Sequence, residues 1–168
     1  MPKAPAVPGV YLLTFPFRDG FLIYAAGITR RPIPNRLREH TKKYLCGDYT
    51  ILDVAGASRG ERIEHWHGWG WTEEKRRDYS ARSSVLQNLA AEQLGRFRIF
   101  VIGPLDEPRL LERIEAAIMA AINASEIPVC DLADRGMQLS GRWKDEEPIE
   151  LHSKLNVKLY GLPRVLEI

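Results

Sequence analysis

The sequence has little cysteine, no long apolar run and almost no net charge, and each shortage excludes a class of protein. Its two cysteines, Cys46 and Cys130, lie far apart and do not form a metal-type spacing, so we expect free thiols rather than a disulfide framework. No apolar run approaches the ~18–20 residues of a transmembrane helix, and the opening residues lack the apolar core of a signal peptide. We therefore expect one domain over residues 1–168 that has no membrane partner and resides in the cytoplasm.

The charge is unevenly distributed along the chain although the formal net charge is only +2. Residues 1–50 carry eight Lys and Arg against three Asp and Glu, whereas residues 51–150 carry thirteen against eighteen. The basic excess is concentrated in six residues: Arg30, Arg31, Arg36, Arg38, Lys42 and Lys43. Such a patch on a near-neutral chain predicts binding to a nucleic-acid backbone, and a solvated helix face would carry the same charges.

The first third of the chain has the pattern of a β-hairpin followed by a helix. Two β-rich runs, Val10–Phe15 and Phe21–Ala26, flank a short polar connection that ends in Asp19-Gly20. Pro34 suits the first turn of the following helix, and Gly47 suits its end.

The remaining elements follow from apolar periodicity and from capping residues. We expect a helix from Tyr79 or Ser80 to about Leu94, a strand over Phe97–Ile102 and a helix over Arg109–Ile122. The strand is apolar on both faces, which is typical of a central strand. A late strand over Leu151–Leu159 completes the pattern.

A phenol, a guanidinium and an imidazole in the first third of the chain have spacings that could bring them to one phosphate. Tyr11 lies on the first strand, and Arg36 and His40, four residues apart, share one face of the first helix. Glu115 lies beside the apolar stripe of the last helix, where a carboxylate is costly unless a cation meets it. Glu112 is the competing carboxylate, one turn earlier.

These residues stand in motifs that resemble those of the GIY-YIG nucleases. Gly9-Val10-Tyr11 resembles the GIY element, Ala25-Ala26-Gly27 lies where the YIG element would follow, and Arg36 to His40 resembles the Arg-x-x-x-His helix. The second tyrosine of the family falls on Ala25 here. Tyr24 is the nearest phenol. It is one position from Ala25, so strand alternation places it on the opposite face of the second strand from Ala25 and from Tyr11 of the paired strand. Glu115 to Met119 resembles the Glu-x-x-Leu-Ile segment of the family.

The resemblance implies an α+β fold with a small three-stranded antiparallel sheet flanked by helices, and insertions at about residues 48–72 and 124–150. It also implies Mg²⁺ or Mn²⁺ held by Glu115, or by Glu112 as its competitor, with Tyr11, Arg36 and His40 as catalytic residues. The asparagine that the family places after its last helix corresponds to Asn123 or Asn156.

Residues 48–72 contain an unusual cluster of aromatic residues. Tyr49–Val54 predicts a short strand, Gly56 to Gly60 a turn, and Arg62–Trp66 a partner strand. The following tryptophans, Trp66, Trp69 and Trp71, either cover an edge of the core or stack on nucleic-acid bases. Zinc binding by His65 and His67 with Cys46 is a third interpretation.

Three function classes follow from these patterns. The first is a metal-dependent endonuclease that cuts DNA phosphodiester bonds. The second is a catalytically impaired nucleic-acid-binding domain of the same fold. The third is an α+β module in which the Tyr, Arg, His and Glu residues are unrelated, and the distances between those residues discriminate it from the other two.

Overall fold

The computed structural model describes residues 4–134 and 139–168 as an α+β fold. Its strands are β1 (Gly9–Phe17), β2 (Gly20–Thr29), β3 (Ile51–Leu52), β4 (Glu64–Trp66), β5 (Arg98–Ile102), β6 (Glu150–His152), β7 (Lys158–Tyr160) and β8 (Val165–Glu167). Its helices are α1 (Ile33–Leu45), α2 (Val54–Arg59), α3 (Glu73–Arg96), α4 (Pro108–Asn123) and α5 (Val129–Leu132).

The main sheet has four strands in the order β5-β1-β2-β7 and is of mixed direction. β1 pairs antiparallel with both β2 and β5, whereas β7 pairs parallel with β2 over Gly20 to Leu22. The predicted α+β class is confirmed, but the predicted three-stranded antiparallel sheet is wrong. The fourth strand comes from residues 158–160, which are separated by most of the chain from their partner and give no local signal of the pairing.

The strand predicted to be central, β5, lies at an edge of this sheet. Its apolar residues are only partly buried, and Phe100 packs edge-on against Phe21 at 5.2 Å between ring centroids. The most deeply buried aromatic of the predicted strand, Phe97, precedes β5 and ends α3. Partial cover on both faces, rather than a central position, explains the continuous apolar run.

A β-bulge in the hairpin changes which side chains share a face. The register shifts between Leu13 and Thr14, which pair with Ala25 and Ile23, so that Tyr24 has no partner of its own. The ring of Tyr24 therefore contacts Phe15, which lies on the same face of β1 as Tyr11. The expectation that Tyr24 lies on the opposite face from Tyr11 is thus wrong.

The helices begin and end at residues whose capping roles are readable in the sequence. Gly47, with φ of 78°, follows the end of α1, and Thr72 caps α3 by accepting a hydrogen bond from the Lys75 N–H. Glu107 caps α4, with Pro108 in the first position. α3 starts six or seven residues earlier than predicted because its first turns are polar and lack an apolar stripe.

Two segments have a secondary structure that differs from the prediction. The predicted turn from Gly56 to Gly60 is the helix α2, whose Asp53 cap accepts from the Gly56 N–H. The predicted late strand Leu151–Leu159 is wrong, because β6 pairs with β8 and β7 joins the main sheet. Helix α2 is short, so apolar periodicity could not reveal it.

One cluster of buried side chains joins the main sheet to the helices, with α4 lying along β2. The Ala26 N–H of β2 donates to the Sδ atom of Met119 on α4 at 3.4 Å. Among residues 4–134 and 139–168, no helix combines the length and the apolar character needed to span a membrane.

Candidate active site

Tyr11 is the centre of the candidate site and lies in the middle of the main sheet. Its hydroxyl oxygen is hydrogen-bonded to Nε2 of His40 on α1 at 2.7 Å, with the two rings edge to face. Gly27 lies directly across from Tyr11 on β2, and a Cβ atom at this position would overlap the Tyr11 hydroxyl. The glycine is therefore required where β2 passes the phenol.

α1 contributes a cation as well as an imidazole to this phenol. Arg36, one helical turn before His40, lies close enough to the Tyr11 hydroxyl to lower its pKa. Nη1 of Arg36 also contacts Glu39 at 3.2 Å, and Glu39 in turn pairs with Arg31 at 2.8 Å. Glu39 thus holds one side of the Arg36 guanidinium.

Glu115 on α4 completes the group. It is half-buried and lies one helical turn before Met119, the residue that contacts Ala26 of β2. Burial raises its pKa to about 7, Arg36 opposes the increase, and Glu112 adds to it. Glu112 is also half-buried, and it pairs with Arg109 at 3.2 Å. The structure therefore places Glu115, and not Glu112, beside the arginine of the site.

Burial determines the protonation states of the Tyr11–His40 pair. It raises the pKa of Tyr11 to about 12, although Arg36 opposes the increase. It lowers the pKa of His40 to about 4, with Arg36 acting in the same direction. At neutral pH the site therefore holds a neutral phenol, a neutral imidazole and a guanidinium.

The other catalytic candidates lie away from this group. Tyr24 is buried among Phe15, Phe97 and Tyr44, its hydroxyl hydrogen-bonds with that of Tyr44, and burial raises its pKa far above the usual value. Asn123 is exposed at the end of α4. Asn156 is exposed and lines a cleft together with Asp19, which belongs to the turn of the hairpin at the far end of β1 from Tyr11.

The basic residues of the first third surround α1. Arg30, Arg38 and Lys42 are exposed. Arg31 pairs with Glu39, and Lys43 pairs with Asp48 at 3.2 Å. All five lie on or next to the helix that carries Arg36 and His40.

The three tryptophans have different surroundings. Trp66 is buried and Trp71 is half-buried, and both rings pack on Tyr79. Trp69 is 44% exposed. Two of the three thus cover the core, and the third faces solvent.

The zinc interpretation has no support in the described residues. His65 lies beside Asp53 at 3.4 Å, and His67 pairs with Glu64 at 3.0 Å. Within residues 4–134 and 139–168, no three or more His, Cys, Asp or Glu side chains are grouped so as to hold a metal.

Tyr49 belongs to the surroundings of the site and was not predicted from the sequence. Its ring lies 5.2 Å from that of His40, and its phenol interacts electrostatically with Arg36. Tyr49 lies in the loop after α1, so neither periodicity nor motif spacing marks it.

No protein-family model matches the chain, and comparisons with curated proteins and with solved structures give no significant match. The likeness to GIY-YIG nucleases therefore consists of the motif residues themselves, and a functional conclusion depends on the geometry of Tyr11, Arg36, His40 and Glu115.

Proposed function

We propose that this chain is a divalent-metal-dependent endonuclease that hydrolyses DNA phosphodiester bonds at Tyr11, Arg36, His40 and Glu115. The supporting observation is that three different groups converge on one phenol. His40 is hydrogen-bonded to Tyr11 at 2.7 Å, and Arg36 and Glu115 both interact with Tyr11 electrostatically. A perturbed carboxylate, an imidazole and a guanidinium around one phenol are typical of a catalytic site.

Glu115 is the residue that fits a divalent cation. It forms no ion pair within residues 4–134 and 139–168, since Arg36 pairs with Glu39 and Arg109 pairs with Glu112. Its pKa of about 7 reflects a half-buried carboxylate whose charge is poorly compensated. One carboxylate, completed by waters and substrate oxygens, is an adequate ligand set for Mg²⁺ or Mn²⁺. Such a cation, when bound, would stabilise the charge on the phosphate and on the leaving oxygen.

Arg36 is suited to hold the phosphate. Its planar fork matches two phosphate oxygens, and Glu39 at 3.2 Å restrains one side of the guanidinium. A restrained arginine loses less conformational freedom when the substrate binds.

Tyr11 and His40 can move the proton of the attacking water together. A free tyrosinate is rare at neutral pH because the pKa of Tyr11 is about 12. The Tyr11 oxygen instead accepts a proton from the water while its own proton passes to Nε2 of His40, 2.7 Å away. The water proton then resides on Tyr11 and the former phenol proton on His40, so the pair gains one proton in all. When the P–O bond breaks, the leaving oxygen takes up one proton, which restores the neutral pair.

Nicking of supercoiled plasmid tests the proposal. Purified protein should nick the plasmid with Mg²⁺ or Mn²⁺ and not with EDTA. Tyr11→Phe, which removes a single oxygen, should slow nicking by about 10²- to 10⁴-fold. Tyr160→Phe removes the same atom from a partly exposed tyrosine beside Asp19 and should leave the rate unchanged. Absence of nicking in both metals would refute the proposed activity.

DNA binding without cleavage is the second candidate function. It is favoured by the single carboxylate at the site, since the described residues hold no metal-binding group of three or more side chains. Salt-dependent gel shifts together with intact plasmid in Mg²⁺ and Mn²⁺ would establish this function instead.

A further inference from the structure

Two tryptophans attach the loop after β4 to the end of α1. The Trp66 indole N–H donates to the Gly47 carbonyl at 2.7 Å, and the Trp71 indole N–H donates to Oδ1 of Asp48 at 3.0 Å. Both rings also pack against Tyr79 of α3. The loop between these tryptophans is therefore fixed at both ends.

Trp69, between these anchors, is presented to solvent. It is 44% exposed, and its indole N–H donates no hydrogen bond within the part of the chain that the structure describes. Gly68 allows this placement, because a Cβ atom there would overlap the backbone of Tyr49. Gly70, with φ of 73°, then turns the chain back towards Trp71. The local structure thus presents a large aromatic ring that the fold does not need for its core.

Tyr49 connects this exposed ring to the candidate active site. Its ring centroid lies 6.0 Å from that of Trp69 and 5.2 Å from that of His40. The Nζ atom of Lys43 lies 5.8 Å from the Tyr49 ring centroid. We name Tyr49 and Trp69 the aromatic shelf. It extends from the Tyr11–His40 pair into solvent and has a cation beside it.

An open cleft borders the shelf. Trp69 lines a space of about 610 Å³ together with Gly60, Arg62, His67 and four carboxylates, Glu61, Glu64, Asp131 and Asp134. This volume lies within the range of small-molecule sites, so a planar ring can reach the indole.

We propose that the aromatic shelf binds one unpaired nucleobase, that of a nucleotide next to the phosphate held at Tyr11 and Arg36. This inference rests on the proposed nuclease function and names its substrate class, DNA with an unpaired or extruded base. In an intact duplex both faces of each internal base are covered by its neighbours, so an aromatic side chain can stack only on a base that has left the helix. A phosphate-binding arginine beside an exposed aromatic pair matches the two parts of such a nucleotide.

Binding measured in EDTA isolates this property from cleavage. The probes are three short DNA duplexes that differ at one position: an unpaired 2-aminopurine, an unpaired abasic residue, and a normal base pair. The wild-type protein should bind the 2-aminopurine duplex more tightly than the abasic duplex, by about 5- to 150-fold, the range expected for one stacked base. Stacking should also quench the fluorescence of 2-aminopurine.

Variants attribute the preference to the shelf. Trp69→Ala should bring the ratio between the two duplexes close to one without changing affinity for the abasic duplex. Trp69→Phe should retain part of the ratio. The matched control is Trp143→Ala, which removes a 57% exposed tryptophan that packs on Arg109, and it should behave as wild type.

The outcomes separate this inference from the proposed function. Equal wild-type affinity for the 2-aminopurine and abasic duplexes would by itself refute base binding by the aromatic shelf. A Trp69→Ala variant that keeps the wild-type ratio of the two affinities would refute it as well. Plasmid nicking without a base preference would refute base binding by the aromatic shelf and leave the proposed nuclease function standing. A base preference without nicking would refute cleavage and leave the shelf intact.

Discussion

Glu115 and Glu146 each have an arginine nearby, yet their electrostatic surroundings are opposite. Glu146 accepts two hydrogen bonds from Arg109, at 2.6 and 2.7 Å, and one from the Trp143 N–H at 2.7 Å. These bonds, first of all those from Arg109, lower its pKa to about 2. Glu115 is half-buried near Arg36 without an ion pair between them among the described residues, and burial raises its pKa to about 7.

The difference separates a structural carboxylate from a candidate functional one. Glu146 links residues 139–150 to the start of α4, and its charge is compensated within the protein. The charge of Glu115 is compensated only in part, by Arg36, so ionisation of Glu115 makes folding less favourable. A residue that lowers stability at neutral pH is expected at sites where function requires it.

The substitution Glu115→Gln is the most direct test of the functional role assigned to Glu115. Glutamine keeps the helix and most of the volume but removes the charge that a hard cation needs. We expect plasmid nicking to fall by about 10³-fold or more, because the metal contribution is worth several kcal/mol. DNA affinity in a gel shift should be unchanged or slightly higher, since Arg36 and the basic residues remain.

Glu112→Gln is the matched control, one helical turn away and paired with Arg109. It should nick within about threefold of wild type. Mg²⁺ should raise the melting temperature of wild type and of Glu112→Gln but not of Glu115→Gln. Full nicking by Glu115→Gln with a dead Glu112→Gln would reverse the assignment of the metal ligand.

Glu146→Gln should have the opposite profile. It weakens both hydrogen bonds from Arg109 and leaves that guanidinium partly unpaired. We expect the melting temperature in a thermal unfolding experiment to fall by a few degrees, with the nicking rate at a permissive temperature within twofold of wild type. A large loss of nicking in this folded variant would show that the two regions are coupled.

The pH dependence of stability should distinguish the two glutamates by sign. The pKa of Glu115 is raised to about 7, so the folded state holds its proton more tightly than the unfolded state does. Glu115 therefore lowers stability as the pH rises from about 4.5 to 7. The pKa of Glu146 is lowered to about 2, so its stabilisation is present above about pH 4.5 and is lost as the pH falls towards 2.

Thermal unfolding in EDTA at pH 5 and pH 8 measures this difference. Glu115→Gln should gain stability over wild type at pH 8 more than at pH 5. Glu146→Gln should be less stable than wild type at both pH values, and the deficit should disappear towards pH 2–3. The same pH dependence of stability in both variants would contradict the opposite pKa shifts of Glu115 and Glu146.

The smallest expected effect concerns the exposed lysines of α1. Replacing Lys42 and Lys43 with Ala should weaken DNA binding evenly across sequences and reduce the slope of log affinity against log salt by about 1–2. Lys144 and Lys154, both exposed and both outside α1, provide the control double variant, which should keep the wild-type slope. Equal slopes in both double variants would show that the basic residues of α1 do not contact the phosphate backbone.

The parts of the fold that were predictable from the sequence are those that local interactions determine. The hairpin follows from alternating apolar residues around Asp19-Gly20, and the end of α1 follows from a glycine with positive φ at Gly47. Helical spacing places Arg36 and His40 on one face, and the contacts of both with Tyr11 agree with that spacing.

The features that escaped prediction depend on residues distant in sequence. β7 pairs with β2 across more than a hundred residues, and no local pattern encodes that pairing. The bulge that moves Tyr24 to the face of Tyr11 arises from the pairing register of β1 and β2. Tyr49 contacts His40 through its ring and Gly68 through its backbone, and apolar periodicity reveals neither contact.

The sequence by itself determined the chemical identity and the spacing of the candidate site: a phenol on a strand, a guanidinium and an imidazole four residues apart, and a carboxylate on a late helix. Only the tertiary structure decided their protonation states and their neighbours. Burial is a property of the whole fold, and burial raises the pKa of Tyr11 to about 12 and of Glu115 to about 7 while it lowers that of His40 to about 4. For the same reason, only the packed chain distinguishes the exposed Trp69 from the core-covering Trp66.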